Sequence, residues 1–229
     1  MKLFDGADLN VIGVSDWITN ESRQSALLSR FNHICIYNWI DFDTFKHESI
    51  LLLPPKYLQI FKHKKVLLGV SNKWDDSKGL SDFIKLSNEL DDQYVIALVG
   101  QRPKRKIDSK IVFLGPINNQ KELSLLYNTA FVFLNLSISE SFGLTSAEAL
   151  SCGTPVISYD LTASKEIAGP GCISVKHSSF RIDDIQKAIK AIENENKDNC
   201  VARINYAHKK FDKTINLNML LGFLMENKY

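Results

Sequence analysis

The fold is decided by residues 130–148, which read AFVFLNLSISESFGLTSAE. The apolar run at 130–136 is short and rich in aromatic and β-branched residues, which predicts a buried strand of a parallel sheet. Glu140 follows in a loop, and Gly143 precedes a predicted helix that carries Glu148. A loop between a parallel strand and a helix directs backbone N–H groups beyond the strand end, which suits phosphate. The two glutamates can accept hydrogen bonds from hydroxyl groups, so the pattern indicates a nucleotide sugar.

The same residues allow a purely structural interpretation. Thr145 and Glu148 have the Ser/Thr-x-x-Glu spacing of a capping box, in which the glutamate only satisfies a backbone N–H at the helix start. Glu140, close to three serines, would by default be a solvated carboxylate. Considered alone, Glu148 is better explained as a cap. The whole run of sequence favours the binding interpretation.

Three motifs in order connect the chain with a known family. Residues 140–149 have the pattern Glu-x-Phe-Gly-x-x-x-x-Glu-Ala and continue into SCGTPVI at 151–157, which closely resembles the signature of family 4 glycosyltransferases, retaining enzymes of the GT-B fold. Residues 66–79 (VLLGVSNKWDDSKG) resemble the first strand and lysine-glycine loop of the donor-binding half. Residues 113–116 (FLGP) and 122–127 (ELSLLY) match the segment that holds the base. The resemblance extends over about residues 65–193.

The resemblance implies a role for each matching residue. Lys78 matches the lysine that contacts the donor diphosphate, and Lys73 stands where many members have an arginine with that task; a lysine there supplies a point charge instead of a bidentate fork. Glu140 matches the glutamate that approaches the transferred sugar, and we take it as the candidate catalytic residue. Glu148 matches the glutamate that binds the ribose hydroxyls. The implied donor-binding set is completed by Phe142, Gly143, Leu144 and Thr145.

Composition limits the other classes of function. The chain has 229 residues, 45% of them hydrophobic, and a net charge of +2, which gives no indication of nucleic-acid binding. Four dispersed cysteines predict neither a zinc site nor a disulfide framework and fit a cytoplasmic protein. Arg102 and residues 104–106 form a basic cluster, which predicts a solvated loop, with contact to an anionic membrane surface as the alternative. We expect no metal and no cofactor, with the nucleotide sugar as substrate.

Strands and helices are predicted to alternate from residue 66 onward. Strands are expected at 66–71, 94–100, 111–114, 131–136, 155–159 and 172–175, and helices at 79–90, 119–128 and 144–152. The pattern predicts an α/β fold with a Rossmann-like doubly wound parallel sheet, which the resemblance identifies as a GT-B C-terminal domain. Lys78 and Glu140 both follow strands, so both should lie at the sheet edge where ligands bind.

The two ends of the chain are expected to belong to other parts of the architecture. A strand at 9–15, a helix at 16–30 and a strand at 31–37 predict a small N-terminal βαβ remnant of the acceptor-side domain, and Pro54-Pro55 predicts an extended linker. We therefore expect domains at 1–53, 54–212 (donor binding) and 213–229 (a C-terminal crossover helix). The sequence before residue 38 is much shorter than in a complete family member.

The last helices are expected at about 198–210 and 213–225, the second with a stripe formed by Leu217, Leu220, Leu221 and Leu224. This stripe must contact the N-terminal unit, another chain or water. A separate acceptor-domain chain, or a homo-oligomer formed through this helix, is thus a candidate partner.

Two functions remain open at this point. The first is transfer of a sugar from a nucleotide-sugar donor to a glycan or lipid-linked acceptor in polysaccharide biosynthesis. The second is binding of a nucleotide or nucleotide sugar without transfer, because catalysis requires both reactants to be held. A dinucleotide-binding module is disfavoured, since the loop at 71–79 lacks Gly-x-Gly-x-x-Gly. A pure interaction domain would leave the two lysines and two glutamates unexplained.

Overall fold

The computed structural model describes residue 4 and residues 6–61, 63–104, 106–107, 109–195 and 198–226. The strands in this part of the chain are β1 (Asn10–Gly13), β2 (Asn32–Cys35), β3 (Lys65–Lys73), β4 (Tyr94–Gln101), β5 (Val112–Gly115), β6 (Val132–Asn135), β7 (Val156–Tyr159) and β8 (Ile173–Val175). The helices are α1 (Asp16–Gln24), α2 (Pro55–Phe61), α3 (Leu80–Glu89), α4 (Gln120–Thr129), α5 (Leu144–Ser151), α6 (Ser164–Ile167), α7 (Arg181–Glu193), α8 (Asp198–Phe211) and α9 (Lys213–Glu226).

Six strands form one parallel sheet in the order β5-β4-β3-β6-β7-β8. The order reverses between β3 and β6, where Leu67 pairs with Val132 and Leu68 with Phe133. Parallel neighbours need crossover connections. Helix α3 connects β3 to β4, α5 connects β6 to β7 and α6 connects β7 to β8, whereas the described residues between β4 and β5 form no helix. This is the predicted doubly wound α/β fold, and its switch point lies between β3 and β6.

The sheet is covered by helices on both faces. Successive residues of a strand point to opposite faces, so Leu68 packs in the cluster that includes α4 and α5, while Leu67 packs with α3 and α7. Phe83 on α3 and Tyr127 on α4 are both fully buried. Burial of each large apolar side chain contributes about 1.5–3 kcal/mol. The two layers fix the strand ends from which the site is built.

The N-terminal βαβ unit has its own two-stranded parallel sheet of β1 and β2 and contacts α6 and the loop after β6. The amides of Asp16 and Trp17, at the start of α1, donate to the carboxylate of Glu166 at 2.7 and 2.8 Å. The hydroxyl of Ser15 donates to the carbonyl of Ser141 at 2.6 Å. The second contact ties the small unit directly to the loop that carries Glu140.

Two local predictions are wrong. The first helix ends at Gln24 and not at residue 30, because Ser25 is extended (ψ 132°) and its hydroxyl accepts the amide of Leu27. The pair Pro54-Pro55 does not continue as an extended linker, because Pro55 is the first residue of α2. A proline suits that position, since the first helical N–H has no intrahelical partner.

The last two helices are α8 and α9, close to the predicted bounds. The backbone of Phe211, at the end of α8, accepts the amide of Ile40, and Asp212 caps α9 through the amide of Ile215 at 2.9 Å. Leu221 and Leu224 of the predicted stripe are 48% and 50% exposed. Leu217 and Leu220 are half-buried, so the stripe is only partly in contact with solvent in this chain.

Candidate functional site

A cleft of about 730 Å³ lies beyond the carboxyl ends of β3, β4 and β6. Its charged lining residues are Lys73, Asp75, Lys78, Glu140 and Glu148. The end of β4 at 99–101 and the loop at 116–118 also line the cleft. The sequence placed Lys78 and Glu140 at one sheet edge, and the structure brings them, with Glu148 and Lys73, into one cavity.

An ion pair lies at the centre of the cleft. Lys78 Nζ donates to Glu140 Oε1 at 2.8 Å, and the two side chains are 33% and 19% exposed. Lys78 ends a short 3-10 turn, and Gly79 follows with φ 74°. A Cβ at Gly79 would lie 2.4 Å from the carbonyl oxygen of Leu136, so only glycine permits this approach of the β3 loop to the end of β6.

Glu140 is held by its backbone as well as by its carboxylate. Its amide donates to Thr162 Oγ1 at 3.0 Å, and its carbonyl accepts the amide of Ala163 at 3.3 Å. The neighbouring Ile138 donates its amide to the carbonyl of Ser77 at 3.0 Å. The Glu140 loop thus bridges the turn before α3 and the loop after β7.

Glu148 is buried in the wall of the cleft and is 9% exposed. Its Oε2 accepts a hydrogen bond of 2.8 Å from the hydroxyl of the fully buried Tyr127. Burial raises the pKa of Glu148 from 4.5 to about 7, and the Tyr127 hydroxyl opposes this rise. The capping-box interpretation is wrong, because Gly143 is the N-cap of α5 and Glu148 lies beyond its first turn.

The start of α5 faces the cleft. Gly143 is its N-cap with φ 95°, and no side chain in the described part of the molecule caps the helix at this point. Leu144 and Thr145 line the cavity, where the amides of the first turn carry about half a positive charge. This end of α5 can accommodate an anion.

Two predicted residues lie elsewhere. Phe142 is 3% exposed and packs its ring in the core, 5.5 Å from the ring centroid of Phe211 and 6.3 Å from that of Tyr37. Neither Phe142 nor Gly143 is among the described residues that line the cleft. Phe142 supports the loop from behind, and Gly143 shapes the turn that begins α5.

Lys73 occupies the outer rim of the cleft. It is exposed at the end of β3, after an irregularity in the pairing with β4 that leaves Lys73 opposite Gln101. In the basic cluster predicted at Arg102 and residues 104–106, Arg102 and Lys104 line a second cavity together with Lys73. The guanidinium of Arg102 lies 5.1 Å from the ring centroid of Phe113, and Arg105 lies outside the described residues.

Sequence reasoning missed two residues that hold the glutamates in place. Tyr127 is recognisable only as part of the 122–127 motif, and its spacing gives no indication that it reaches Glu148. Thr162 follows β7 in a loop without any predicted role. Both contacts join segments more than twenty residues apart, so local pattern carries no signal for them.

The fold is shared with GT-B glycosyltransferases of known structure. Anabaena HepE, solved with UDP and glucose, matches with a TM-score of 0.75 at 18% identity, over 94% of this chain and 62% of its own. Sucrose-phosphate synthase from Thermosynechococcus elongatus matches with a TM-score of 0.78 at 18% identity, over 96% and 59%. At these identities the likeness concerns the fold.

The family follows from the sequence. Residues 57–210 match the family described as glycosyl transferases group 1, and the chain belongs to it. The O-antigen chain mannosyltransferase RfbU of Salmonella typhimurium is 29% identical over 168 residues, which are 72% of this chain and 45% of RfbU. N-acetyl-alpha-D-glucosaminyl L-malate synthase of Bacillus anthracis is 28% identical over 186 residues, 66% of this chain and 47% of that protein. The chain thus spans less than half the length of these curated relatives.

Of the helices in the described part of the chain, none combines the length and the apolar character that a membrane crossing requires.

Proposed function

We propose that this chain binds a nucleotide-sugar donor and acts as a family 4-like retaining glycosyltransferase, which moves a hexosyl group to a glycan or lipid-linked acceptor in polysaccharide biosynthesis. The observation that carries the proposal is the single cleft at the switch point of the sheet, in which Lys78 pairs with Glu140 beside the buried Glu148. The proposal is supported by membership of the glycosyl transferases group 1 family and by the similarity to RfbU, an O-antigen chain mannosyltransferase.

The diphosphate has a suitable place at the start of α5. The cleft is lined by two lysines, Lys73 and Lys78, and by the first two residues of α5, Leu144 and Thr145. Negative charge grows on the diphosphate as the sugar departs, and fixed cations and amide dipoles stabilise that charge more in the transition state than in the ground state. These groups supply the positive charge, so the proposal uses neither a metal ion nor a cofactor.

The two glutamates would bind hydroxyl groups on either side of the diphosphate. Glu148 has one oxygen held by Tyr127, which leaves Oε1 for the ribose. Glu140 is the candidate catalytic residue and would orient the transferred sugar. Lys78 already pairs with Glu140, so a donor diphosphate would share the Lys78 ammonium with this carboxylate. The turn at 116–118 would contact the base.

The proposal also assigns the parts of the chain. Residues 1–53 belong to an acceptor-side domain, 54–212 bind the donor, and 213–229 cross back toward the acceptor side. The exposed leucines of α9 suit a separate acceptor-domain chain or a second copy. All four cysteines are free thiols, which supports a cytoplasmic location. The proposal includes peripheral contact with the membrane and no nucleic-acid partner.

A second candidate is nucleotide-sugar binding without transfer. All the cleft-lining residues among those the structure describes lie between 70 and 148, so the described β1–α1–β2 unit contributes none. Transfer requires both reactants in attack geometry, and this cleft accounts for the donor alone. Binding of a donor with no turnover would favour this candidate.

Calorimetry with UDP, GDP and their glucose and mannose donors tests the binding step, with Lys78→Met as the variant and Lys187→Met as its control. Lys187 also pairs with a carboxylate, but it is 76% exposed on α7. We expect Lys78→Met to weaken nucleotide affinity by at least about tenfold, because it removes a charge-assisted contact with phosphate. Equal affinities for Lys78→Met and Lys187→Met would refute the proposed site.

Donor hydrolysis and transfer test the chemical step, with Glu140→Gln as the variant. We expect this variant to bind UDP as the wild type does and to lose turnover. Proton NMR of the first sugar released gives its anomeric configuration, which should match that of the donor. An inverted configuration would exclude a retaining mechanism while leaving the donor site intact.

A further inference from the structure

One residue close to the cleft has an unfavourable backbone conformation. Thr162, in the loop between β7 and α6, has φ 50° and is one of two described non-glycine residues with positive φ. Threonine is β-branched, and for such residues the left-handed region is a genuine outlier. An outlier of this kind persists only where the surrounding structure holds it.

The hydroxyl of Thr162 makes a contact that glycine could not make. Thr162 Oγ1 accepts the amide of Glu140 at 3.0 Å, and the next residue, Ala163, donates its amide to the carbonyl of Glu140 at 3.3 Å. One turn therefore holds the backbone of Glu140 on both sides. Ala163 is fully buried, so the turn itself has a fixed position.

The other end of Glu140 is fixed by Lys78, through the 2.8 Å ion pair. A glutamate side chain has three rotatable bonds. If only the carboxylate of Glu140 were held, the backbone of its loop could still move. With the backbone held by Thr162 and Ala163 and the carboxylate held by Lys78, the side chain spans two fixed points. A site must hold its reacting groups within fractions of an ångström of the productive geometry.

We propose that Thr162 is a positioning residue, whose left-handed backbone is retained because its hydroxyl orients Glu140 toward the transferred sugar. The proposal rests on the function proposed for Glu140. It assigns the unfavourable conformation to sugar positioning and not to nucleotide binding, because the Thr162 hydroxyl contacts the Glu140 amide and is not part of the cleft wall among the described residues.

Three variants of Thr162 separate the effect of its hydroxyl from the effect of its left-handed backbone conformation. Thr162→Ser keeps the hydroxyl, Thr162→Ala removes it but keeps a Cβ in the left-handed region, and Thr162→Gly removes both. Ala and Ser differ by a single oxygen, so they form a matched pair. Glycine adopts this conformation without steric cost, which makes Thr162→Gly the variant whose folding is secure.

Hydrogen exchange at the Glu140 amide is the first measurement. We expect exchange in Thr162→Ser to match the wild type, and exchange in Thr162→Ala and Thr162→Gly to be about tenfold faster, because the acceptor of this amide is lost. Equal protection in all four proteins overturns the assignment. This measurement needs no ligand, so it decides the role of the hydroxyl even if the proposed glycosyltransferase function is wrong.

Binding of UDP and of UDP-glucose is the second measurement. We expect Thr162→Ala and Thr162→Gly to keep the UDP affinity of the wild type and to lose the additional affinity for UDP-glucose, while Thr162→Ser keeps both. Loss of UDP affinity in the Ala and Gly variants overturns the proposal, because it would indicate a general structural role. Failure of the wild type to bind UDP or GDP would instead count against the proposed function.

Discussion

Replacement of Glu148 by glutamine should stabilise the protein at alkaline pH. Glu148 is 9% exposed, and within the described residues no lysine or arginine forms an ion pair with it. Burial raises its pKa from 4.5 to about 7, while the hydroxyl of Tyr127 partly counteracts the rise. The charged form is therefore less favourable in the folded chain than in the unfolded chain. Glutamine retains the shape and an oxygen for Tyr127 without the charge.

The direction in which the free energy of unfolding changes with pH follows from proton binding. Between pH 4.5 and about 7 the folded protein keeps a proton on Glu148 that the unfolded chain has released, so the free energy of unfolding of the wild type falls as the pH rises through this window. Each pH unit corresponds to ~1.4 kcal/mol, which gives about 3 kcal/mol over the window. Glu148→Gln should show no such loss. It should approach the wild type below pH 4.5 and exceed it by about 3 kcal/mol above pH 7.

Urea unfolding of the wild type and of Glu148→Gln between about pH 4.5 and pH 8.5 measures the difference between their free energies of unfolding. The contributions of titratable groups that both proteins share cancel in this difference. Glu122→Gln is a control of opposite sign, because the pKa of Glu122 is lowered by its hydrogen bonds from Lys56 and Tyr57. The ionised Glu122 therefore stabilises the folded protein above the pKa that Glu122 has in the unfolded chain, and this stabilisation is lost in acid. We expect Glu122→Gln to be less stable than the wild type at neutral pH. A Glu148→Gln variant with no gain at pH 8.5 would refute the reasoning.

Two further changes test the geometry around the cleft. Gly79→Ala should lower the unfolding free energy by about 3 kcal/mol, because its Cβ would lie 2.4 Å from the Leu136 oxygen at φ 74°; an unchanged urea midpoint would contradict the close approach. Tyr127→Phe should cost about 2 kcal/mol near pH 8, where Glu148 is ionised, and about 1 kcal/mol near pH 5, where it is protonated. Unfolding at both pH values measures this, and an equal loss at both would show that the hydroxyl does not stabilise the carboxylate.

The sheet could be predicted because its strands are buried on both faces. Such strands appear as continuous apolar runs with β-branched residues, and this pattern depends little on distant contacts. The convergence of Lys78 and Glu140 was predictable for a related reason. Each follows a strand, and the carboxyl ends of parallel strands share one edge. That β3 and β6 are neighbours follows from the doubly wound topology.

What the sequence left open depends on tertiary contacts. Phe142 lies within the motif, yet whether its ring faces the cleft or the core depends on how α8 packs, and Phe211 places it in the core. The proline pair at 54–55 is compatible with both an extended path and a helix start, since the φ angle of proline suits both. Tyr127 and Thr162 act on glutamates that are distant in sequence, so their roles required the folded chain.

The order of the strands has a consequence for how the chain is made. Strand β4 follows β3 in the chain and can pair with it once both are made, but the other edge of β3 is completed only when Val132 and Phe133 have left the ribosome. Until then the nascent chain carries an apolar strand with an open hydrogen-bonding edge, a feature that promotes pairing with other chains. Because β6 also leads into Glu140, the lining of the cleft is incomplete during this interval. We therefore expect the nascent chain to be most prone to association between the synthesis of β4 and that of β6.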